Sequence, residues 1–476
     1  MSRLKVPETW DHTCDILVVG AGTAGMPAAL AAAKAGNKVT VLELTKITGG
    51  SGNIIAAGGS FAGTEVQKEL GIPDSPEQYY QDGIGPNGGG DPDIWRTIAD
   101  NQLDTWEWFK SMGLYPDDDP ETGPIINNPG HTYKRLHRYG NGYKVMQRIE
   151  EEIRKAGAEI LFEHRAKRLI ADPLTDRVYG AQVETKDGYK NFKARKAVIL
   201  TSGSFSRNQE MVYEYNSKFV DDTVMPLAAP GHLGDGLKMA MELGAKTNHI
   251  GDAVVGSLVY DVHSKNDRVI FFVHWGGAII VNWNGQRFTD ESCRDGFYGQ
   301  VAAEFLDQPG KTAWIIYDEE IRKAVPEHDR KNIKEFKADT LEELCKITGI
   351  KSVANIRNAL EKYNEDIESE GYDTVWGRKH FCWNVGTLVT INMDGPFYAV
   401  NGGCTTSSFK GGMKVNSKGQ MQNQFGESIP GLYAAGEIIG GLFSRGMYLG
   451  STNWQGFMTL GRVTGMFAAQ NIPWDK

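Results

Sequence analysis

A glycine-rich turn between two apolar segments, close to the start of the chain, constrains the fold more than any other feature. Residues 15–19 (DILVV) are predicted to form a buried strand, and the turn GAGTAG follows at residues 20–25. Residues 26–35 are alanine-rich and predicted to be helical, and residues 38–43 (KVTVLE) form a second predicted strand. Strand, turn, helix and strand in this order are typical of a doubly wound α/β domain that binds a dinucleotide.

Each glycine of this turn has its own role. Gly20 allows the tight turn, Gly22 lets the backbone reach a pyrophosphate, and Gly25 lets the helix and strand pack closely. The N-terminus of the helix is then expected to receive the diphosphate. Glu43, at the end of the second strand, is predicted to accept a hydrogen bond from a ribose hydroxyl.

Two later segments favour FAD over NAD as the dinucleotide. Residues 49–59 form a second glycine-rich loop, and residues 430–437 (PGLYAAGE) end a predicted strand at Glu437. Residues 449–452 (LGST) precede a helical run, and the N-terminus of such a helix suits the electron-rich N1/O2 edge of a reduced flavin. The Glu437 carboxylate suits a ribose or ribitol hydroxyl. We therefore expect a flavoprotein.

Net charge and cysteine pattern argue against several classes of protein. The chain of 476 residues is long enough for two domains, and its net charge of -9 disfavours a nucleic-acid or anionic-membrane partner. The 5 cysteines are scattered without a CxxC pair, which disfavours a zinc ribbon, an iron–sulfur cluster and c-type haem, and no metal-ligand spacing is found. The polar start and the lack of a long apolar run predict a cytoplasmic protein without a membrane segment.

Further segments extend the pattern along the whole chain. They are residues 234–244 (GDGLKMAMELG), 279–288 (IIVNWNGQRF), 395–399 (GPFYA) and 411–416 (GGMKVN). Together with the glycine-rich loops, they resemble the fumarate reductase/succinate dehydrogenase flavoprotein family, which includes 3-ketosteroid dehydrogenases and other enoate or steroid reductases. The resemblance implies a doubly wound, Rossmann-like FAD-binding domain interrupted by an α+β capping domain that closes over the flavin.

The resemblance also implies domain limits and cofactor contacts. We expect the FAD-binding domain at 1–247 and 387–476, with the capping domain at 248–386. The expected FAD contacts lie in the first and last parts of the chain: Gly20, Gly22, Ala24, Gly25, Glu43, Gly50, Ser51, Asn53, Gly58, Gly59, Ala166, Ser202, Gly203, Asp235, Gly436, Glu437, Ser451 and Thr452.

Two departures from the family pattern bear on cofactor attachment and on substrate. Family members with covalent flavin carry a histidine where this chain has Gly52, so we expect non-covalent FAD. Fumarate reductases clamp the substrate carboxylates with a paired-histidine motif and an arginine, whereas Ser407, Ser408 and Tyr448 stand at those positions. A phenol lacks the charge and the bidentate geometry of arginine, so fumarate or succinate is disfavoured as substrate.

Candidate catalytic residues follow from the same resemblance. Arg294 aligns with the capping-domain arginine that delivers a proton in fumarate reductases, and Asp295 could hold or tune it. Hydride transfer to one carbon of a polarised double bond requires protonation of its neighbour. Tyr448 is a candidate to donate to a carbonyl or act as acid or base, as tyrosines do in ketosteroid dehydrogenases. Alternatively, Arg294 only forms a salt bridge with Glu291 or Asp295, and Tyr448 only packs.

The expected pocket is aromatic and neutral. His131, His137 and His274 are weaker candidates for substrate contact. The aromatic side chains in segments that the family places near the flavin or cap are Phe271, Trp275, Phe297, Tyr298, Phe409, Phe443, Tyr448 and Trp454. Such a wall suits a flat polycyclic substrate, such as a steroid or an isoflavonoid-type polyphenol.

Three functions remain open. The first is an FAD-dependent reductase of an activated double bond on a neutral polycyclic compound. The second is a dehydrogenase of the ketosteroid type, which passes electrons to an acceptor. The third is a flavin-binding electron-relay subunit of a larger complex. No separate NAD(P)H site is visible, so the electron donor or acceptor is unknown.

Overall fold

The structure, a computed structural model, describes residues 4–475 except 55, 87, 119–122, 127–129, 252–253, 256–258, 264–269, 272–275, 292–300, 302–303, 325–329, 331–332, 380–387, 407 and 445–446. In the described chain the helices are α1 (Gly25–Lys34), α2 (Glu65–Glu69), α3 (Pro76–Ile84), α4 (Pro92–Ser111), α5 (Gly142–Lys155), α6 (Gln209–Asn216), α7 (Asp235–Glu242), α8 (Glu319–Ala324), α9 (Leu341–Thr348), α10 (Val353–Glu370) and α11 (Thr452–Ala469).

The strands up to the middle of the chain are β1 (His12–Val19), β2 (Val39–Glu43), β3 (Ala56–Ser60), β4 (Leu136–Asn141), β5 (Glu159–Phe162), β6 (Arg165–Ala171), β7 (Val178–Thr185), β8 (Gly188–Leu200), β9 (Met225–Pro226), β10 (Thr247–Asn248) and β11 (Val254–Val255). The later strands are β12 (Val259–Asp261), β13 (Ile270–Phe271), β14 (Ile279–Val281), β15 (Thr312–Asp318), β16 (Phe336–Ala338), β17 (Phe397–Thr406), β18 (Ser408–Phe409), β19 (Gly412–Met413), β20 (Gln420–Gln422) and β21 (Ser428–Ala434).

The first sheet has the strand order β20-β21-β8-β1-β2-β5, and β7 also pairs with β8 and carries β6 on its other side. Strands β21, β8, β1, β2 and β5 run parallel to one another, whereas β20 and β7 pair antiparallel with β21 and β8. The apolar residues Ile16, Leu17 and Val18 of β1 are completely buried, because layers of side chains cover both faces of a parallel sheet. This sheet is the predicted α/β domain, and its parallel strands all end at the same edge.

Two glycines bring the last helix close to the first one. A Cβ atom at Gly461 of α11 would lie 2.2 Å from the Ala24 carbonyl oxygen, and one at Gly465 would lie 2.3 Å from that of Ala28. The second contact lies four residues after the first one in both segments, so α11 and α1 run in the same direction. Helix α11 begins at Thr452, nine residues before Gly461, whereas Ala24 directly precedes α1. The start of α11 therefore projects about 13 Å beyond the start of α1, toward the sheet edge where the parallel strands end.

The second sheet has the order β13-β12-β17-β15-β14, and β16 and β9 also pair with β17. Strand β17 is buried along its whole length and pairs antiparallel with β15 from Phe397–Asp318 to Gly403–Thr312. The expected boundary at residue 386 would assign β17 to the FAD-binding domain, yet its hydrogen bonds belong to this sheet. The division into domains therefore stays a prediction. No helix in the described part of the chain is both long and apolar enough to cross a membrane.

Candidate active site

A cavity of about 270 Å³ opens where the parallel strands of the first sheet end. It collects side chains and backbone from loops that are far apart in the sequence. Of the residues predicted to contact FAD, the following line it: Gly20, Gly22, Ala24, Glu43, Gly50, Ser51, Asn53, Ala166, Ser202, Gly203, Asp235, Gly436 and Glu437. The predicted residues Gly25, Gly58, Gly59, Ser451 and Thr452 are not part of this lining.

The fingerprint glycines have the geometry that their spacing predicts. Gly20 has φ +107°, and a Cβ atom there would lie 2.6 Å from the Thr201 carbonyl oxygen. A Cβ atom at Gly25 would lie 1.9 Å from the Gly20 carbonyl oxygen, so Gly25 allows close packing, and its contact with FAD stays a prediction. Around Gly22, by contrast, there is nothing within 4 Å of a Cβ position. The backbone at the start of α1 is thus open to an incoming phosphate.

Glu43 holds the turn and the next loop together. Its Oε2 accepts from the Ala21 N–H at 3.0 Å, and its Oε1 accepts from the Thr45 N–H and hydroxyl, both at 2.8 Å. A carboxylate can accept about four hydrogen bonds. The side chain therefore keeps capacity for a ribose hydroxyl while it fixes the walls of the cavity.

Two buried polar atoms in the cavity lining have no hydrogen-bond partner in the described chain. They are the Ser202 hydroxyl and the Asn53 side-chain oxygen, Oδ1. Buried polar groups in proteins nearly always have a partner, so both atoms point to a ligand with complementary donors and acceptors. The ribitol hydroxyls and amide-bearing ring of FAD carry such groups, and the cavity fits this cofactor.

The start of α11 forms another wall of the site. Ser451 has φ +57°, and its side chain makes no capping hydrogen bond to the backbone N–H groups at this end of the helix. The Thr452 hydroxyl accepts from the Tyr79 hydroxyl at 3.1 Å, so this side chain packs against α3. What this end of the helix offers to a flavin is therefore its backbone N–H groups, which favour negative charge.

Gly58 and Gly59 have a packing role in the structure. A Cβ atom at Gly58 would lie 2.6 Å from Leu136 Cδ1, and one at Gly59 would lie 2.7 Å from the Phe61 ring and 2.9 Å from Gln455 Cβ. These glycines let β3 pass close to its neighbours. They hold the site together without lining the cavity.

A chain of buried polar groups runs inward from the cavity. His232 contacts the Ser51 hydroxyl through Nε2 at 3.1 Å, and its Nδ1 lies 3.7 Å from Glu437 Oε2. The Ser408 hydroxyl donates to Glu437 Oε1, and Lys410 Nζ donates to the Ser408 hydroxyl at 2.7 Å. Burial lowers the pKa of His232, although Glu437 acts in the opposite direction. This imidazole is therefore neutral at pH 7.

Tyr448 lies at the inner end of this chain. Its ring packs edge-on against Phe443 with the centroids 5.2 Å apart, and Lys410 Nζ lies 5.9 Å from its centroid. Burial raises the pKa of Tyr448 to about 12, while a hydrogen bond from the Ser451 backbone acts in the opposite direction. The phenol is therefore protonated at neutral pH and able to donate a hydrogen bond.

Comparisons with known proteins agree with this geometry. The sequence profile of the FAD binding domain family matches residues 15–453. The chain belongs to the fumarate reductase/succinate dehydrogenase flavoprotein family. It is therefore an FAD-dependent oxidoreductase, as predicted from the sequence. A fumarate reductase (cytochrome) of Shewanella frigidimarina is 29% identical over 476 residues, which cover 96% of this chain and 77% of that protein.

Solved structures of this flavoprotein family have the same fold. The open conformation of a flavocytochrome c3 fumarate reductase is 29% identical with a TM-score of 0.78, over 97% of this chain and 78% of that one. A 3-ketosteroid-Δ4-(5α)-dehydrogenase from Rhodococcus jostii RHA1, in complex with 4-androstene-3,17-dione, is 25% identical with a TM-score of 0.79 over 98% of both chains. These two relatives act on different substrates, so family membership alone leaves the substrate of this flavoprotein open.

Several predicted residues lie outside the described part of this flavoprotein. They are Arg294, Asp295, Ser407, His274 and the aromatic residues Trp275, Phe297 and Tyr298. The side chain of Phe271 is likewise not described. The catalytic roles of Arg294 and Asp295 therefore remain predictions.

The segment that leads to Arg294 is anchored by a buried ion cluster. Arg287 donates to Glu291 Oε2 at 2.7 Å and to Asp373 Oδ2 at 2.8 Å, and Arg378 NH1 lies 3.6 Å from Glu291 Oε2. These side chains are almost completely buried. Arg287 is thus committed to holding the second sheet together and is not available to clamp a substrate carboxylate.

His131 and His137, the weaker candidates for substrate contact, both have hydrogen-bond partners within the protein. His131 Nε2 lies 2.8 Å from the Gly450 carbonyl oxygen, and His137 Nδ1 lies 2.7 Å from that of Arg135. Burial lowers the pKa of each imidazole to about 4. His131 fixes the loop just before α11. Trp454 packs on Phe109 at 5.4 Å, in the core rather than in the cavity lining.

Sequence reasoning did not find His232 or the inward polar chain. His232 is not part of a recognisable sequence motif. Its contacts come from loops that are distant in the sequence and come together only when the chain folds. Among the residues that the structure describes, no group of three or more His, Cys, Asp or Glu side chains could hold a metal ion.

Proposed function

We propose that the protein is an FAD-dependent reductase that delivers hydride to a carbon–carbon double bond conjugated with a carbonyl, on a neutral polycyclic substrate of the steroid or isoflavonoid type. The observation that carries this proposal is the half-buried, protonated phenol of Tyr448, at the position where fumarate reductases hold a clamping arginine. A phenol donates one hydrogen bond to a carbonyl oxygen but cannot bind a carboxylate in the bidentate way of arginine.

The loss of a two-point clamp supports a substrate other than a dicarboxylate. Ser408 stands where the family has a histidine, and its hydroxyl is engaged by Lys410 and Glu437. Arg287, which could have replaced the clamp, is paired with Glu291 and Asp373. A single lysine remains close to Tyr448 in the described chain, and one cation cannot hold the two ends of fumarate.

The aromatic surroundings support a flat substrate. Phe457 lines the cavity, whereas Phe443, which packs on Tyr448, and Phe409, which stacks on Phe205 with the centroids 4.7 Å apart, are buried in the core. Lys410 makes this region less neutral than the sequence alone suggests. The cation lies over the faces of Tyr448 and Phe457, and of these two rings Phe457 lines the cavity.

Each side chain has its own role in the proposed reaction. Bound FAD, once reduced, supplies the hydride. Tyr448 donates a hydrogen bond to the substrate carbonyl, which draws electrons away from the double bond. Arg294, in the segment beyond the Arg287 cluster, is proposed to give the proton to the carbon next to the one that receives hydride. Asp295 is proposed to orient Arg294.

The test is reoxidation of the reduced holoprotein under anaerobic conditions. Fumarate, 4-androstene-3,17-dione and an isoflavone are added in turn, and recovery of the oxidised flavin absorbance is recorded. We expect the polycyclic compounds to react and fumarate to react poorly. Tyr448→Phe should slow the reaction by roughly 10² or more, as for loss of a catalytic proton donor. Tyr433→Phe is the matched control, because its hydroxyl contacts Asn471 at 3.1 Å, outside the cavity lining.

Reoxidation by fumarate alone, with full activity in Tyr448→Phe, would contradict the proposal. The second candidate is the reverse reaction, that of a ketosteroid-type dehydrogenase. It is favoured by the match to the steroid dehydrogenase, which covers 98% of both chains. In that case a saturated 3-ketosteroid bleaches the oxidised flavin, whereas the enone does not reoxidise the reduced form.

A further inference from the structure

Lys410 is a buried cation with few partners. It is 2% exposed and directly follows β18. Its Nζ donates to the Ser408 hydroxyl at 2.7 Å and lies over the rings of Tyr448 and Phe457, at 5.9 and 5.6 Å from their centroids. In the part of the chain that the structure describes, no carboxylate lies within 4.0 Å of this nitrogen. Glu437 is reached only through Ser408.

Burying the ammonium group of Lys410 destabilises the folded protein unless another group compensates its charge. Removing a charge from water is costly, and the ring faces offset only a small part of that cost. Lysine has three N–H donors, and Ser408 takes one of them. The remaining donors lie beside the cavity-lining Phe457 and the phenol of Tyr448. The arrangement suits an oxygen atom that carries negative charge and is supplied by a ligand.

We propose that Lys410 and Tyr448 together bind the carbonyl oxygen of the substrate and stabilise the negative charge that develops on it during hydride transfer. This inference rests on the proposed function and narrows the substrate class to compounds whose double bond is conjugated with a carbonyl. Lys410 is then a catalytic residue, with Ser408 and Glu437 as positioning residues that hold its side chain in place.

The electron count of the step explains why a cation is needed. Reduced flavin is the two-electron donor, and the hydride forms a C–H bond at the β-carbon of the double bond. The π electrons of that bond shift to the bond between the α-carbon and the carbonyl carbon. The carbonyl π electrons move to oxygen and give an enolate. Protonation of the α-carbon restores the carbonyl, so the oxygen carries negative charge only during the reaction.

A binding experiment tests the inference without turnover. 4-Nitrophenol mimics the enolate, and its anion is coloured, so difference spectra with the oxidised holoprotein report whether it binds as the anion. We expect Lys410→Met to weaken anion binding at least about 10-fold and to slow reoxidation by an enone by about 10²–10³, the loss typical of one oxyanion donor. The flavin midpoint potential should stay unchanged. Lys418→Met, an exposed position in the same segment, is the matched control.

The outcomes separate this inference from the proposed function. Anion binding that Lys410→Met leaves intact, or a wild-type protein that binds no 4-nitrophenol, overturns the inference. A fall in the flavin potential with unchanged binding also overturns it, since Lys410 would then face the flavin. If the anion site depends on Lys410 but no enone reoxidises the flavin, the oxyanion-binding role of Lys410 stands, while the proposed reduction of an enone and the enone substrate class fail. Lys410→Gln is measured in parallel, and retained FAD verifies that each variant folds.

Discussion

Replacing Lys410 by methionine should increase the free energy of unfolding at neutral pH, although it damages the site. Methionine fills a similar length of the same apolar space without a charge. Burial lowers the pKa of Lys410 from its usual 10.5 to about 8, and Glu437 offsets only part of this effect. The folded protein therefore holds an ammonium in an environment that disfavours the charged form.

The size of the effect follows from this pKa. A difference of one pKa unit between the folded and unfolded states corresponds to about 1.4 kcal/mol. Because the pKa of Lys410 falls from 10.5 to about 8, the charged side chain lowers the free energy of unfolding by roughly 3 kcal/mol. Loss of the hydrogen bond to Ser408 costs about 1 kcal/mol. Lys410→Met should thus increase the free energy of unfolding near pH 7 by about 2 kcal/mol, because it removes a charge from a buried position.

The sign of the pH dependence gives a second check. Between about pH 8 and 10.5 the folded protein releases the Lys410 proton before the unfolded chain does, so wild-type stability rises with pH in this window. The nearby Tyr448 remains neutral until about pH 12, and His232, whose pKa burial lowers, is already neutral. The advantage of the methionine variant should therefore shrink toward high pH.

The assay is denaturant unfolding of the holoprotein with excess FAD at about pH 7 and about pH 10, followed by circular dichroism. Lys418→Met serves as the control for loss of one positive charge. A methionine variant that is less stable than wild type at pH 7, or a difference that is the same at both pH values, would refute the reasoning. Either result would mean that another group already compensates the ammonium in the folded protein.

Three further predictions concern cofactor, substrate and proton delivery. Acid denaturation should release intact FAD, because Gly52 has no side chain to form a covalent link and a Cβ there would lie 2.8 Å from Thr23 Oγ1; flavin retained on the precipitated chain would contradict this. Fumarate should bind weakly, since each lost charged contact costs roughly 1.5–3 kcal/mol, and a sub-millimolar KM for fumarate would show that another cation forms the clamp. Arg294→Ala should keep FAD and its reduction by dithionite while substrate reoxidation falls about 10²-fold or more; if only KM and thermal stability change, Arg294 is a structural salt-bridge residue.

The nucleotide-binding half of the site could be predicted from local sequence. The roles of Gly20 and Gly22 depend on backbone conformation within one turn, and the apolar strand before it and the helix after it are also local features. Glu43 ends the next strand and reaches the same turn. Neighbouring parallel strands end at one edge of a sheet, so a short stretch of sequence is enough to place these residues together.

The remaining part of the site, which includes the proposed substrate contacts, was decided by the tertiary structure. Gly58 and Gly59 are predicted from the sequence to contact the cofactor, and only the structure shows that a Cβ atom at these positions would meet Leu136 and Phe61, because β3 packs there. The burial of Lys410 beside Tyr448 also has no sequence signature. It arises because the strand before Lys410 and the loop before α11 come from distant parts of the chain. The sequence by itself determined the fold family and the dinucleotide turn, since these depend on short-range spacing. Which charges are buried, and what they face, depended on contacts between segments that only folding brings together.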